Sequence, residues 1–191
     1  MKFNDICERL KVLLTEKRYI HSVNVANCAK EMAKLYGADE EKAYIAGMVH
    51  DCAKYFNKEK RDYYVDKYHI EMDDMEKRSG ALAHSVIGAY VTKYIFEIDD
   101  EEILGAVRYH TTGNVNMSLM EKIIYLADVI EVGRDYPGVD ELRELVYSGK
   151  LDEALLKSFD NTISLMIKKG NTIHPRSVAA RNFIIEEMQK K

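Results

Sequence analysis

The chain has 191 residues, of which 47% are hydrophobic and 31% charged, and its net charge is −4. This length and balance predict a single domain over residues 1–191. No apolar run approaches the roughly 20 residues that span a bilayer, and a negatively charged chain is a poor match for nucleic acid. Three widely spaced cysteines indicate a reducing compartment. We therefore expect a cytoplasmic protein with neither a membrane nor a nucleic-acid partner.

Helical periodicity runs through almost the whole chain, and no segment shows the alternation of a half-buried strand. We predict an all-α bundle of about eight to ten helices, some of them short. They cover about 4–15, 17–36, 40–54, 58–68, 84–94, 100–110, 119–130, 141–147, 151–169 and 178–188, with 71–80 as a loop or a short helical turn. The expected capping residues are Asp39, Asn57, Asp99 with Glu102, Ser118 with Glu121, Asp140 and Ser177.

The segment 43–54 combines an apolar helical face with two polar groups at its end. Its apolar residues recur at intervals of three and four, as on a core-facing helix: Ile45, Met48, Val49 and Cys52. His50 and Asp51 then place an imidazole beside a carboxylate, and Lys54 follows one turn later. Burying such groups is costly unless they are paired or coordinated. Both groups are ligands for divalent metals, so the pair predicts a metal site wherever further ligands converge on it.

Four other residues are candidates for that convergence because they lie near helix ends or on apolar faces: His21, His84, His110 and Asp128. A single histidine on such a face is more often a hydrogen-bonded core residue than a ligand. Asp128 is harder to explain in that way, because an unpaired carboxylate inside the apolar stripe 124–130 would be costly. No member of the set is specific by itself.

Taken together, these residues resemble the HD-domain superfamily of metal-dependent phosphohydrolases, whose signature is a His, a His-Asp dipeptide and a distal Asp on separate helices of a bundle. Longer stretches are similar to the YqeK-type bacterial symmetrical diadenosine tetraphosphate hydrolases over roughly residues 1–185. These stretches are 18–21, 50–54, 108–113, 121–128 and 130–134. The resemblance implies an HD-domain fold.

The resemblance also implies a metal-dependent hydrolase that cleaves diadenosine tetraphosphate into two ADP, by attack of a metal-bound water on a phosphorus. The implied ligands of the divalent metal, expected to be iron with manganese or another divalent ion as alternatives, are His21, His50, Asp51 and Asp128. Asp51 would orient or deprotonate the water, or act only as a ligand.

Further roles follow from the same resemblance. The implied catalytic residues are Asp51, Lys54, His84 and His110, although the two histidines could instead bind a second ion. The residues implied to contact the substrate or its product ADP are His21, Asp51, Cys52, Ala53, Lys54, His84, His110, Thr111, Asp128, Arg134, Asn171, Thr172, Ile173, His174, Pro175 and Arg176.

Several alternatives stay open at the level of sequence. Metal chemistry does not depend on the base, so a nucleotidase or another nucleotide phosphohydrolase of the superfamily fits the same residues. A non-catalytic nucleotide-binding module and a purely structural helical protein are the other two interpretations. Lys54 could be a solvated side chain at a helix end, and Arg134 a surface side chain paired with Glu131 or Asp135. Apolar and tyrosine-rich faces would allow a homodimer.

Overall fold

The computed structural model describes residues 2–190, and every regular element in that range is an α-helix. The prediction of an all-α fold is therefore confirmed. The eleven helices are α1 (Phe3–Leu13), α2 (Glu16–Tyr36), α3 (Glu40–Val49), α4 (Lys58–Tyr68), α5 (Asp74–Arg78), α6 (Gly80–Tyr94), α7 (Glu101–Tyr109), α8 (Leu119–Ile130), α9 (Val139–Tyr147), α10 (Leu151–Lys168) and α11 (Pro175–Gln189). Within the same range, no helix is both long and apolar enough to cross a bilayer.

Residues 2–190 contain eleven helices, one more than the eight to ten expected, because the segment 71–80 includes a regular helix. Asp73 caps α5 by accepting from the backbone N–H of Glu76, whose side chain bonds back to the N–H of Asp73. Such a reciprocal capping box satisfies two backbone donors in a helix of only five residues. Helix α6 then begins at Gly80, one turn before His84, which was the predicted start.

Three predicted caps are wrong by one to three residues. Asp100 rather than Asp99 caps α7, since its carboxylate accepts from two backbone N–H groups of the first turn. Gly138, in the left-handed conformation, precedes α9 in place of Asp140. His174 rather than Ser177 caps α11: its Nδ1 accepts from the Arg176 N–H, and the proline that follows it occupies the first helical position. The caps at Asp39, Asn57 and Ser118 are confirmed.

Helices α2, α3, α7 and α8 enclose the centre of the molecule, where their buried faces form one continuous apolar core. Gly47 on α3 permits the closest of these approaches. A Cβ atom at that position would lie 2.6 Å from the Cα of Ala26 on α2. The two backbones therefore touch, which brings the C-terminal end of α3, with His50 and Asp51 just beyond it, against the first turns of α2.

We expect Gly47→Ala to lower the free energy of unfolding by about 2–3 kcal/mol, because the new methyl group meets backbone that cannot rotate away. Urea unfolding followed by circular dichroism, in the presence of a chelator, measures this cost. Gly37→Ala is the matched control: it adds a methyl group in open space at a left-handed φ of 76° and should cost only about 1 kcal/mol. Equal costs for both variants would contradict the close contact.

Candidate active site

Five helices bring the predicted polar residues to one place in the core. His21 lies in the second turn of α2, His84 on α6 and Asp128 on α8, while His50 and His110 stand at the C-terminal ends of α3 and α7. Asp51 follows His50 directly. The four histidines and Asp51 are buried, and Asp128 is partly exposed. The sequence-predicted set therefore converges.

His50 and His110 are held in the same way by the helices that they end. In each, the ring Nδ1 lies within hydrogen-bond distance of the carbonyl oxygen three residues earlier, at 2.7 Å to Gly47 and 2.8 Å to Val107. A carbonyl oxygen only accepts, so Nδ1 must carry the proton and donate it. In a neutral ring the lone pair then lies on Nε2, which faces the centre. This is the form in which histidine binds a metal.

His21 is oriented by a buried carboxylate that the sequence did not reveal as part of the site. Its Nδ1 lies 3.1 Å from Oε1 of Glu131, and its Nε2 lies 3.0 Å from Oδ1 of Asp128. Glu131 is only 3% exposed. A carboxylate that accepts from the far nitrogen of a histidine is the usual outer partner of a metal ligand, because it fixes the ring and raises its basicity.

Asp51 stands between two groups of imidazoles and contacts each with a different oxygen. Oδ1 lies 3.0 Å from Nε2 of His84 and 3.6 Å from Nε2 of His110. Oδ2 lies 3.5 Å from Nε2 of His50 and 2.9 Å from Nη1 of Arg18. Burial alone would raise the pKa of Asp51, but the facing imidazoles, His50 first, hold it well below its ordinary value. The carboxylate is therefore ionised.

The donor atoms of this cluster fit a divalent metal. Nε2 of His50 is buried and has no hydrogen-bond partner within residues 2–190, which is costly unless a ligand satisfies it. Despite its burial, His50 has a raised pKa because Asp51 and Asp128 favour a positive charge on the ring. The same field favours a metal cation. Three groups of donors lie within 4.8 Å of one another: His21, His50 and Asp51; His50, His110 and Asp128; and Asp51, His84 and His110.

His84 has the character of a ligand rather than of an acid. Burial, opposed by the nearby Asp51, lowers the pKa of His84 to about 4, so its ring is neutral at physiological pH. Its Nε2 lies 3.0 Å from Nε2 of His110. Two imidazole nitrogens and one carboxylate oxygen thus share a small volume next to the donors of His21 and His50.

Three cations stand around the cluster, and all of them are paired with its carboxylates. Lys54 Nζ lies 3.3 Å from Oδ1 of Asp51 and is 30% exposed. Arg134 donates to the backbone carbonyl and the carboxylate of Asp128, at 2.7 and 2.6 Å. Arg18 makes the contact with Asp51 described above. Arg134 also lies 3.8 Å from Oε1 of Glu131, one of the partners that its alternative interpretation named. Arg18 was not among the predicted site residues.

A cavity of about 880 Å³ opens beside His84 and His110. Its lining includes Leu82, Thr111, Thr112 and the segment 171–174. The Thr111 hydroxyl lies 3.2 Å from Nε2 of His110, which connects the cavity to the histidines. Of the six residues 171–176 predicted to bind substrate, Asn171, Thr172, Ile173 and His174 line this cavity.

Arg176 and Pro175 have other positions. Arg176 donates to the buried carboxylate of Glu76 at 2.8 Å, and Arg108 lies 3.0 Å from the same oxygen. Pro175 is the first residue of α11. Arg176 thus anchors the cavity wall to α5 rather than lining the cavity. His174 adds a second anchor through Nε2, which donates to Asp73 at 2.8 Å.

Two further predicted residues lie in the core. The thiol of Cys52 packs against the carbonyl of Gly88 on α6 at 3.6 Å, and its side chain has no exposed surface. Ala53 is 1% exposed. Neither residue therefore offers appreciable surface to a substrate.

Comparison with known proteins agrees with this geometry. The family model described as HD domain matches residues 18–133, which include every metal-ligand candidate. A relative from Bacillus subtilis (strain 168), named "Bis(5'-nucleosyl)-tetraphosphatase, symmetrical", is 40% identical over 92% of this chain and 94% of its own length. A relative of the same name from Halalkalibacterium halodurans is 41% identical over 94% of this chain and 95% of its own.

A solved structure has the same fold as this chain. It is a crystal structure of a predicted HD superfamily hydrolase involved in NAD metabolism from Clostridium acetobutylicum, with 45% sequence identity and a TM-score of 0.94. The match covers 98% of each chain. The resemblance inferred from the sequence motifs is confirmed, and the chain belongs to the HD domain family.

Proposed function

We propose that this chain is a metal-dependent hydrolase that cleaves diadenosine tetraphosphate symmetrically into two ADP. The observation that carries the metal dependence is the buried, unpartnered Nε2 of His50 among the donors of His21, Asp51 and Asp128. The names of the full-length relatives supply the substrate class. The net charge of −4 supports a free nucleotide rather than nucleic acid as the ligand.

The proposed ligands of the metal are His21, His50, Asp51 and Asp128. Two imidazoles and two carboxylates suit iron(II), which we propose as the resident ion, and also suit manganese. The proximity of His84 and His110 to Oδ1 of Asp51 supports a second ion at that end of the cluster. A divalent ion at this position supplies a Lewis acid for a phosphoryl oxygen and lowers the pKa of bound water.

The chain's own residues supply positioning and charge. Lys54, partly exposed beside Asp51, can bind a phosphate oxygen as a point charge. Arg134 is held by Asp128 with its guanidinium at the rim, where it can bind another phosphate oxygen. Because the pKa of Asp51 is low, this carboxylate is a better ligand than base. The Thr111 hydroxyl, 3.2 Å from Nε2 of His110, adds a donor at the entrance to the cavity.

The 880 Å³ cavity is proposed to hold one nucleoside of the substrate. Its volume is typical of a site for a ligand of this size. The aliphatic side chain of Ile173 and the hydroxyl of Thr172 offer an apolar face and a hydrogen bond, which suit a base and a ribose. We also propose that the chain works as a single domain, because its apolar core extends without a break from α1 to α11.

The substrate and the metal dependence can be tested by product analysis. Purified protein is incubated with diadenosine tetraphosphate and iron(II) or manganese, with and without chelator, and the nucleotides are separated by chromatography. We expect ADP as the sole product and loss of turnover with chelator. AMP with ATP would contradict symmetric cleavage, and turnover of ADP or AMP in place of the dinucleotide would favour a nucleotidase.

The ligand set can be tested by substitution. His50→Ala and Asp51→Asn should each lose most of the bound metal and lower kcat by about 10³-fold or more, because they remove a ligand from the reacting centre. His69→Asn is the matched control, since His69 is exposed and has a left-handed φ of 49° that asparagine tolerates. Metal analysis and circular dichroism separate loss of metal from loss of fold. Full activity in both site variants would overturn the assignment.

The role of Glu131 can be tested separately from the ligands. Glu131→Gln keeps the shape of the side chain but weakens its bond to Nδ1 of His21. We expect a metal affinity lower by about 10- to 100-fold, with the metal-to-protein ratio restored at saturating metal. Titration with a competing chelator measures this change. An unchanged affinity would show that Glu131 only fills space.

A further inference from the structure

Symmetric cleavage of a dinucleoside tetraphosphate places one nucleoside diphosphate on each side of the reacting centre. The inference therefore rests on the proposed function. The cavity described above provides for one half and lies on the side of His84 and His110. Oδ1 of Asp51 faces that side. The other half of the substrate then extends from the opposite side of Asp51, where Oδ2 is directed.

The side of Oδ2 presents a cation and an exposed aromatic ring together. Arg18 reaches Oδ2 with Nη1 at 2.9 Å, and its side chain is 24% exposed, so part of the guanidinium faces solvent at the rim of the centre. Tyr55 follows Lys54 in sequence and is 51% exposed. Its hydroxyl accepts from Thr15 Oγ1 at 3.4 Å, and the same Oγ1 accepts from the backbone N–H of Arg18 at 3.3 Å, so Thr15 links the two residues.

The chemistry of this pair matches a nucleotide. A guanidinium binds phosphate oxygens through a planar pair of donors. A half-exposed tyrosine ring whose hydroxyl is hydrogen-bonded offers a platform for a base, and stacking tolerates any base. A metal bound to Asp51 would weaken the attraction between this carboxylate and Arg18. The guanidinium could then bind phosphate.

We propose that Arg18 and Tyr55 form the subsite for the second nucleoside diphosphate, with Arg18 binding its phosphates and Tyr55 stacking on its base. This subsite selects substrates with a nucleoside at both ends. Tyr55 is thus a specificity-determining residue that the sequence motifs did not include, since it lies one position beyond the stretch 50–54.

Two ligands separate the two roles: diadenosine tetraphosphate, which has two bases, and adenosine tetraphosphate, which has one base and the same number of phosphates. For Tyr55→Ala we expect a KM for the dinucleotide raised about tenfold with kcat little changed, because stacking on the second base is lost. The inhibition constant of adenosine tetraphosphate should stay within about twofold of wild type, as it lacks that base. Tyr55→Phe, which keeps the ring, should have a KM close to that of wild type.

Arg18→Gln should raise both the KM of the dinucleotide and the inhibition constant of adenosine tetraphosphate about tenfold, since both ligands present distal phosphates. Metal analysis of this variant distinguishes phosphate binding from support of Asp51: the proposal expects bound metal as in wild type. Loss of metal with an unchanged KM for the remaining active protein would overturn the role of Arg18.

Tyr63→Ala is the control for removing an exposed tyrosine, because Tyr63 on α4 is 56% exposed and lies against Tyr64 and Lys67. It should leave both constants unchanged. The stacking role would be overturned if Tyr55→Ala left the KM of the dinucleotide unchanged. It would also be overturned if this variant raised that KM and the inhibition constant of adenosine tetraphosphate equally. Absence of dinucleotide cleavage by the wild-type protein would instead overturn the proposed function, so the two failures are distinguishable.

Discussion

The structure depends on burying four imidazoles and the carboxylate of Asp51 at the meeting point of several helices, with the partly exposed Asp128 beside them. Such a cluster is stable only if each polar atom has a partner. The far nitrogens of His50 and His110 are satisfied by backbone carbonyls, and that of His21 by Glu131. These bonds fix the rings from outside, so that the inward nitrogens and the carboxylate oxygens are left for one another. A divalent cation would balance the negative charge of Asp51 and Asp128 and satisfy the inward imidazole nitrogens, so the same donors that are costly to bury are suited to bind metal.

The apolar periodicity that predicts the helices also singles out the candidate ligands. Apolar periodicity marks the buried faces, and His50, Asp51 and Asp128 are conspicuous there because polar groups on such faces need a strong compensation. Glu131 and Arg18 lie within the stretches that resemble the family, but the sequence assigns them no role in the site. Their roles depend on which helices meet: Glu131 bonds to a residue 110 positions away, and Arg18 to one 33 positions away.

The same dependence on long-range contacts sets the side chains around the cavity. His174 and Arg176 belong to a segment whose sequence suggested direct contact with substrate. In the structure, His174 caps α11 and bonds to Asp73, while Arg176 is drawn to the buried Glu76 between two guanidinium groups. A buried carboxylate needs such partners more than a solvated arginine needs a ligand. Long-range ion pairing therefore decided the orientation of Arg176, and the capping of α11 moved its first residue to Pro175.

The two oxygens of Asp51 give the centre two distinct sides. One side has His84, His110 and the cavity, whereas the other has Arg18 and the half-exposed Tyr55. A substrate with two identical halves does not require two identical subsites. It requires only that the central phosphates lie at the metal while each half finds some favourable surface. The cavity can fix the register of the phosphates, while the other half of the substrate contacts a more exposed surface. Symmetric products can thus arise from an asymmetric site.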